Sequence, residues 1–307
     1  MVTFAHLSDL HLPPLPPVRP WQLAGKRVLG YWSWQRKRKH EHRAEVLRAL
    51  SRDLREQAPD RLCVTGDLTN LGLPEEFARA SDWLASLGPA ERVSLVPGNH
   101  DAYTRAATAR IAAAWAPWLT GDDGRAGFPW LRLHGGVAFV GVSTAVPTAP
   151  FRATGRVGAA QLRRLRQRLR DAAGQAAIRV LLLHHPPQAG AVPRRRALSD
   201  ASRLRGVLAE AGCELVLHGH AHVPLQTTLP GPDGPIPVLG ASSASLLRDG
   251  HGQTGSYAIV ELRDDGTAHL RRRVYDPARE SFQPGPDGTI TLPGPAGGFA
   301  TRRHGVI

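Results

Sequence analysis

The stretch VSLVPGNHD, residues 93–101, reads as a buried strand that runs straight into chemistry. Val93–Val96 is mostly apolar, with a β-branched valine at each end; Pro97-Gly98 then breaks it, and Asn99, His100 and Asp101 follow at once. Working outward, the same arrangement recurs at four other places. Val2–Leu7 is followed by Asp9-Leu10-His11, and Leu62–Thr65 by Gly66-Asp67. Val180–Leu183 is followed by His184-His185-Pro186, and Glu214–Leu217 by His218-Gly219-His220-Ala221-His222. In layered α/β folds the ends of strands are where loops converge to build sites. A D-x-H or H-x-H spacing also puts two side chains on one face of an extended segment.

Helical periodicity fills the intervals between these strands: Glu45–Gln57, a helix starting near Pro74-Glu75-Glu76, Thr104 to about Ala116, Gln161–Arg170 and Leu204–Ala211. Leu131–His134 and Val137–Val142 flank Gly135-Gly136 and read as a hairpin. Further strands are expected at Pro237–Leu239, Ser256–Leu262 and His269–Val274. This alternation predicts sheets covered by helices, an α/β layering. Residues 1–275 are expected to form a single domain. The segment 276–307, rich in Pro and Gly, is expected to be a loosely wrapped tail.

Burying so many carboxylates and imidazoles together without a cation would be costly. Oxygen ligands with imidazoles suit Mn, Fe or Zn and need no thiolate. Cys63 and Cys213 fall at strand positions and read as small buried hydrophobes; two cysteines make neither a disulfide framework nor a Cys-only zinc site. His6 reads as a core histidine, His218 as core or as support for its neighbours, and His42, among others, has no motif around it.

With DLH at 9–11, GD at 66–67, GNHD at 98–101, HHPP at 184–187 and GHAH at 219–222, the chain resembles the calcineurin-like metallophosphoesterases over roughly residues 1–225. The resemblance implies a four-layer α/β/β/α sandwich of two facing mixed sheets flanked by helices. It also implies two metal ions. Asp9, His11 and His222 would hold one; Asn99, His184 and His220 would hold the other, with Asp67 bridging. His185 competes with His184 for its place, and the family's His-x-Pro spacing favours His184. His100 would stand beside the substrate phosphate as general acid or transition-state stabiliser, with Asp101 fixing its orientation. The implied activity is a binuclear-metal phosphohydrolase, foremost a phosphodiesterase, in which metal-activated water attacks phosphorus. The alternatives are a membrane-associated hydrolase of a lipid-linked phosphate or pyrophosphate, and a nuclease using the basic surface.

Charge separates those alternatives. The 307 residues carry 39 Lys+Arg against 26 Asp+Glu, a net charge of +13. Most of the arginine is scattered along solvated helix faces, whereas phosphate tracking along nucleic acid needs a continuous basic stripe, so nucleic acid is the weaker partner. The stretch 19–43, RPWQLAGKRVLGYWSWQRKRKHEHR, is different: it holds all three lysines and mixes Trp21, Tyr31, Trp32 and Trp34 with cations. Because this insertion follows Asp9-Leu10-His11, it should start at the mouth of the site and form a lid or docking surface. The expected partner is a small-molecule or lipid phosphoester, and residues 19–43 offer a peripheral contact with an anionic membrane. No apolar run reaches the roughly 18 residues of a membrane span. The early Asp9 and His11 are unlike a signal peptide, so a cytoplasmic protein is expected, with a peripheral place at the inner membrane face as the alternative.

Overall fold

A computed structural model describes residues 1–294. Two six-stranded sheets face one another. The first has the order β12-β11-β10-β1-β2-β3 and the second β4-β5-β6-β7-β9-β8. In the first, β1 (Val2–Leu7), β2 (Arg61–Val64) and β3 (Val93–Leu95) run parallel. There β10 (Ser256–Leu262), β11 (Thr267–Asp276) and β12 (Ser281–Thr291) continue the sheet antiparallel. In the second, β5 (Val137–Gly141), β6 (Ile178–Leu182), β7 (Leu215–His222) and β9 (Ile236–Ser242) are parallel. The hairpin strand β4 (Trp130–His134) closes one edge and β8 (Leu225–Leu229) the other.

Three apolar layers hold this together. Between the sheets, Phe4 meets Phe139 edge to face at 5.6 Å, among Val96, Val180, Leu182, Leu217 and Val260. On the outer face of the first sheet lie α3 (Ala44–Gln57), α4 (Pro74–Ser86) and α5 (Arg105–Leu119), burying Leu50, Phe77 and Trp115. On the outer face of the second lie α6 (Ala159–Ala173) and α7 (Ala201–Ala211), burying Leu165, Leu169 and Leu208. The four layers α/β/β/α follow from this stacking. Strands β2, β5 and β6 are buried along their whole length, as parallel strands covered on both faces must be.

Two expectations need correction. The segment from 276 onward is not simply a loose tail, because Ser281–Thr291 forms β12 on the edge of the first sheet. An edge position tolerates Pro284 and Pro286, since a proline costs nothing where no outer neighbour needs its N–H. The last part of that expectation, 295–307, lies outside the described residues. Pro237–Leu239 belongs to a longer strand, Ile236–Ser242. The insertion 19–43 is largely helical: α1 (Lys26–Ser33) passes through a π-helical turn at Trp34–Arg38 into the short α2 (Lys39–Glu41).

Candidate metal centre

Parallel strands that start at one end of both sheets deliver their loops to the other end. Asp9 and His11 follow β1, Asp67 follows β2, Asn99 and His100 follow β3, and His184 follows β6; His220 and His222 end β7. All seven residues offered as ligands meet in one cluster. Asp9, His11 and His222 form one compact group, and Asp67, His184 and His220 another. Asn99 joins the second through its Oδ1, 3.3 Å from His184 Nε2. His222 Nε2 lies 3.1 Å from Asp9 Oδ1, and His184 Nε2 3.3 Å from Asp67 Oδ2. His11, Asp67 and His100 form a third group, so His100 borders the cluster without leaving it.

Five of the seven, Asp9, His11, Asp67, His220 and His222, sit on left-handed backbone with φ between 39° and 67°. That conformation is uncommon for residues with a Cβ and clusters where function requires it. Two glycines make the close approach possible. A Cβ on Gly98 would lie 2.1 Å from Asp67 Oδ1, and one on Gly219 would lie 1.9 Å from Ser8 Oγ. The backbone N–H of His100 donates to Asp67 Oδ1 at 2.7 Å, and that of His220 to Asp9 Oδ2 at 2.9 Å.

The imidazoles are held by main-chain carbonyls. His11 Nδ1 pairs with Thr69 O (3.1 Å), His184 Nδ1 with Thr65 O (2.6 Å) and His220 Nε2 with Arg196 O (2.9 Å). A carbonyl only accepts, so each of these nitrogens carries the proton and the ring's other nitrogen offers a lone pair to the cluster. His11 Nε2 is buried with no hydrogen-bond partner in the protein, and Asp9 Oδ1 faces only the His222 ring. Buried polar atoms are rarely left so. Burial alone would lower His184, but the Asp67 and Asp9 carboxylates outweigh it and lift the ring to about 9. The protein thus draws a proton toward the place where its carboxylates converge, the behaviour of a centre built around cations. Asp, Asn and His donors fit two metal ions that accept oxygen and imidazole nitrogen.

A family model described as calcineurin-like phosphoesterase matches residues 2–224. The chain belongs to this family. The phosphoesterase is 30% identical over 225 residues to a Synechococcus protein named a probable cyclic nucleotide phosphodiesterase, covering 71% of this chain and 78% of that one. It is 29% identical over 201 residues to a Rhodococcus erythropolis protein named likewise, covering 62% and 59%. A solved dimetal phosphatase from Danio rerio shares the fold, with a TM-score of 0.60 at 14% identity over 94% of this chain and 98% of that one. The phosphoesterase is therefore a phosphoric ester hydrolase of the dimetal type. Metals bound there supply Lewis acidity toward phosphoryl oxygen and activate water.

The remaining residues divide into those that serve the centre and those that do not. Asp101 does not touch the His100 ring, contrary to expectation. Its Oδ2 accepts from Gly98 N (2.8 Å) and Asp67 N (2.9 Å), and its Oδ1 from Thr69 N (2.9 Å) and Thr69 Oγ1 (3.1 Å). It ties the β2 loop to the β3 loop, and a carboxylate two residues along from Asn99 reaches those N–H groups more easily than its neighbour's ring. The His100 ring is oriented by Asn70 O, 2.7 Å from Nδ1. His185 is occupied by Thr144 Oγ1 (2.7 Å) and Ala153 O (3.2 Å), which leaves His184 as the ring facing Asp67. His218 pairs with Gly219 O and Gln188, and His6 with Thr65 Oγ1.

Three groups at the centre have no motif to announce them. Arg38 Nη2 donates to His100 Nε2 at 2.8 Å. His42 packs edge to face on His11 with centroids 4.8 Å apart, its Nδ1 2.8 Å from Ser245 Oγ. Arg196 Nη2 donates to His220 O at 2.8 Å. All three line a cavity of ≈ 520 Å³ that also exposes Asp67, Asn99 and His222. Burial, and then the Arg38 charge, hold His100 down to about 3, so its ring is neutral. Among the described residues, no helix is long and apolar enough to cross a membrane.

Proposed function

We propose that this phosphoesterase is a phosphodiesterase, taking a monoanionic phosphoryl group with two organic arms. The observation that carries the reading is the His100–Arg38 pair on the wall of the cavity. His100 donates through Nδ1 to Asn70 O and accepts at Nε2 from Arg38. It has no free proton to deliver, so the ring acts as a fixed post for the guanidinium. A guanidinium keeps its charge through any reaction and offers several N–H groups to phosphoryl oxygens. Arg38 then stabilises negative charge as it grows on the phosphoryl group, with no reorganisation at that moment.

The rest of the wall favours a single negative charge on the substrate. Lys37, Arg38 and Arg196 are offset there by Glu41 and Asp249. A monoester dianion would bring a second charge toward those carboxylates, whereas a diester brings a neutral ester arm. The cavity volume accommodates an arm on each side of phosphorus. The names of the two relatives point the same way, toward cyclic nucleotides as one class of diester. Mn, Fe and Zn all suit the donor set.

The test is a substrate panel with Mn²⁺-loaded protein. Bis(p-nitrophenyl) phosphate should exceed p-nitrophenyl phosphate in kcat/KM by about tenfold or more, a difference of the size that pocket contacts supply. Cyclic AMP and a glycerophosphodiester belong in the same panel. A preference for the monoester would sink the reading.

A further inference from the structure

The outer face of the insertion leaves large apolar side chains in solvent beside the mouth of the cavity. Trp21, Val28, Leu29 and Trp32 are 70%, 51%, 38% and 57% exposed, and Phe151 across the rim is 83% exposed. Only Met1 and Leu133 among the described large hydrophobics are comparably bare. Scattered exposed apolar residues are ordinary, but Val28, Leu29 and Trp32 fall at i, i+1 and i+4 on one helix amid charged neighbours, and such a set marks a contact surface.

The helix carrying Val28, Leu29 and Trp32 is seated on its other face. Buried Gly30 packs so closely on Tyr103 that a Cβ would meet its hydroxyl at 2.2 Å. Arg27 donates to Leu71 O (3.0 Å) and Gly72 O (2.7 Å), and Tyr31 stacks on Trp34 at 5.9 Å. Lys26 reaches across the rim to Thr148 Oγ1 (2.9 Å) and Arg152 O (3.4 Å), which joins the insertion to the Phe151 loop. Phe151 itself is held outward on left-handed backbone with φ 63°. These side chains, on a seated helix and a braced loop, are covered by none of the described residues.

What covers them is set by charge. Residues 19–43 hold eight Lys and Arg against one acid, Glu41. Arg19 lies over the Trp21 ring at 5.4 Å and Arg36 over the Trp32 ring at 3.8 Å. Amphipathic rings paired with cations, beside aliphatic Val28 and Leu29, match the boundary between anionic headgroups and acyl chains. Single-stranded nucleic acid would use the rings and cations but has no counterpart for an exposed Val and Leu. The same short segment turns Ser33, Lys37 and Arg38 into the cavity. A molecule lying in the surface that Trp32 enters would have its headgroup at the wall that carries Arg38.

We propose that residues 19–38 and the Phe151 loop dock this phosphoesterase onto an anionic lipid bilayer, and that its substrate is an amphiphilic phosphoester presented there. The docking stands independently, whereas the substrate class rests on the phosphodiesterase reading. Vesicle flotation with the full chain tests the docking. Wild type should float with phosphatidylcholine–phosphatidylglycerol vesicles and partition about tenfold less into pure phosphatidylcholine, the loss expected when cations near the surface have no anionic lipid. The double variant Trp21→Ala/Trp32→Ala should lose about tenfold or more on the mixed vesicles, since each ring contributes buried apolar area. Leu133→Ala, on the hairpin, should bind as wild type does.

Soluble bis(p-nitrophenyl) phosphate should be turned over equally by wild type and the double variant. Equal vesicle binding by these two proteins, or no binding by wild type, would overturn the docking. Displacement from vesicles by a single-stranded oligonucleotide, with tighter binding to it than to lipid, would also overturn it in favour of nucleic acid. Vesicle binding without turnover of the soluble diester would leave docking standing and remove the activity proposed above.

Discussion

Two buried polar clusters, one at each end of the second sheet, differ in whether the chain supplies its own counter-charge. Where β6 starts, Arg179 meets Glu214 through Nε (3.1 Å) and Nη2 (2.7 Å), and its Nη1 donates to Leu169 O and Ala211 O. Every nitrogen of that guanidinium donates to an acceptor, and both side chains are almost fully enclosed. Where β6 and β7 end, two carboxylates and several imidazoles converge, and His11 Nε2 finds no partner. Burial is the same in both. One cluster is complete as protein and contributes to holding the sheet; the other becomes complete only with cations, and its cost is borne by stability elsewhere.

That contrast can be broken most directly at Asp67. Asp67→Asn should lower kcat/KM on an aryl phosphodiester about a thousandfold, because several kcal/mol of charge stabilisation depend on correctly held metal. Metal content by mass spectrometry should fall with it. Activity within tenfold of wild type would mean that Asp67 is no ligand. At the other cluster the effect should appear in unfolding instead. Arg179→Met should cost about 3 kcal/mol or more in urea denaturation, since it strands a buried carboxylate, while turnover per folded molecule stays the same. Arg179→Met with Glu214→Leu should recover most of that loss. A double variant as unstable as the single one would show that packing, not charge, is at stake.

Metal removal sharpens the same distinction. Chelation should lower stability by about 2.7 kcal/mol per site for metal previously present at a hundred times its Kd. Calorimetry of chelated and Mn²⁺-loaded protein should show this shift in wild type and in Arg179→Met, and a reduced shift in Asp67→Asn. The smallest effect is expected at Arg38. Arg38→Ala should reduce kcat/KM about tenfold to a hundredfold, mostly in kcat, as loss of one preorganised donor does. Arg38→Lys should not restore it, because an ammonium cannot reach both His100 and a phosphoryl oxygen as the fork does. Recovery by lysine would reduce Arg38 to a generic positive charge.

Much of this was legible in the linear chain, for a physical reason. Parallel strands covered on both faces must be continuously apolar, and the polar residues that end them stand out against that background. Those junctions show where Asp, Asn and His gather and that helices cover sheets; the choice of seven ligands and the two facing sheets come from the family resemblance that the junctions carry. The strands that escaped reading are the edges β8 and β12, which are mostly exposed and so carry no apolar alternation. Helix α1 escaped because Gly25 caps it without a side chain, Gly30 interrupts it, and both of its faces carry large apolar groups. Arg38, His42 and Arg196 are brought to the centre by tertiary placement alone. His42, for instance, arrives through a backbone bridge to Leu246, some two hundred residues later. Asp101 lies beside His100 in sequence, but its carboxylate turns to the loop amides because four donors converge there.

The left-handed backbone under Asp9, His11, Asp67, His220 and His222 has a consequence for how such a chain drifts over generations. At each of these positions glycine removes the ligand and relaxes the main chain in one step. Purifying selection for hydrolysis must therefore work against a stability gradient at five separate codons. A gene copy freed from that selection would shed its metals along a downhill path and keep its sheets, its helices and its basic, tryptophan-bearing rim.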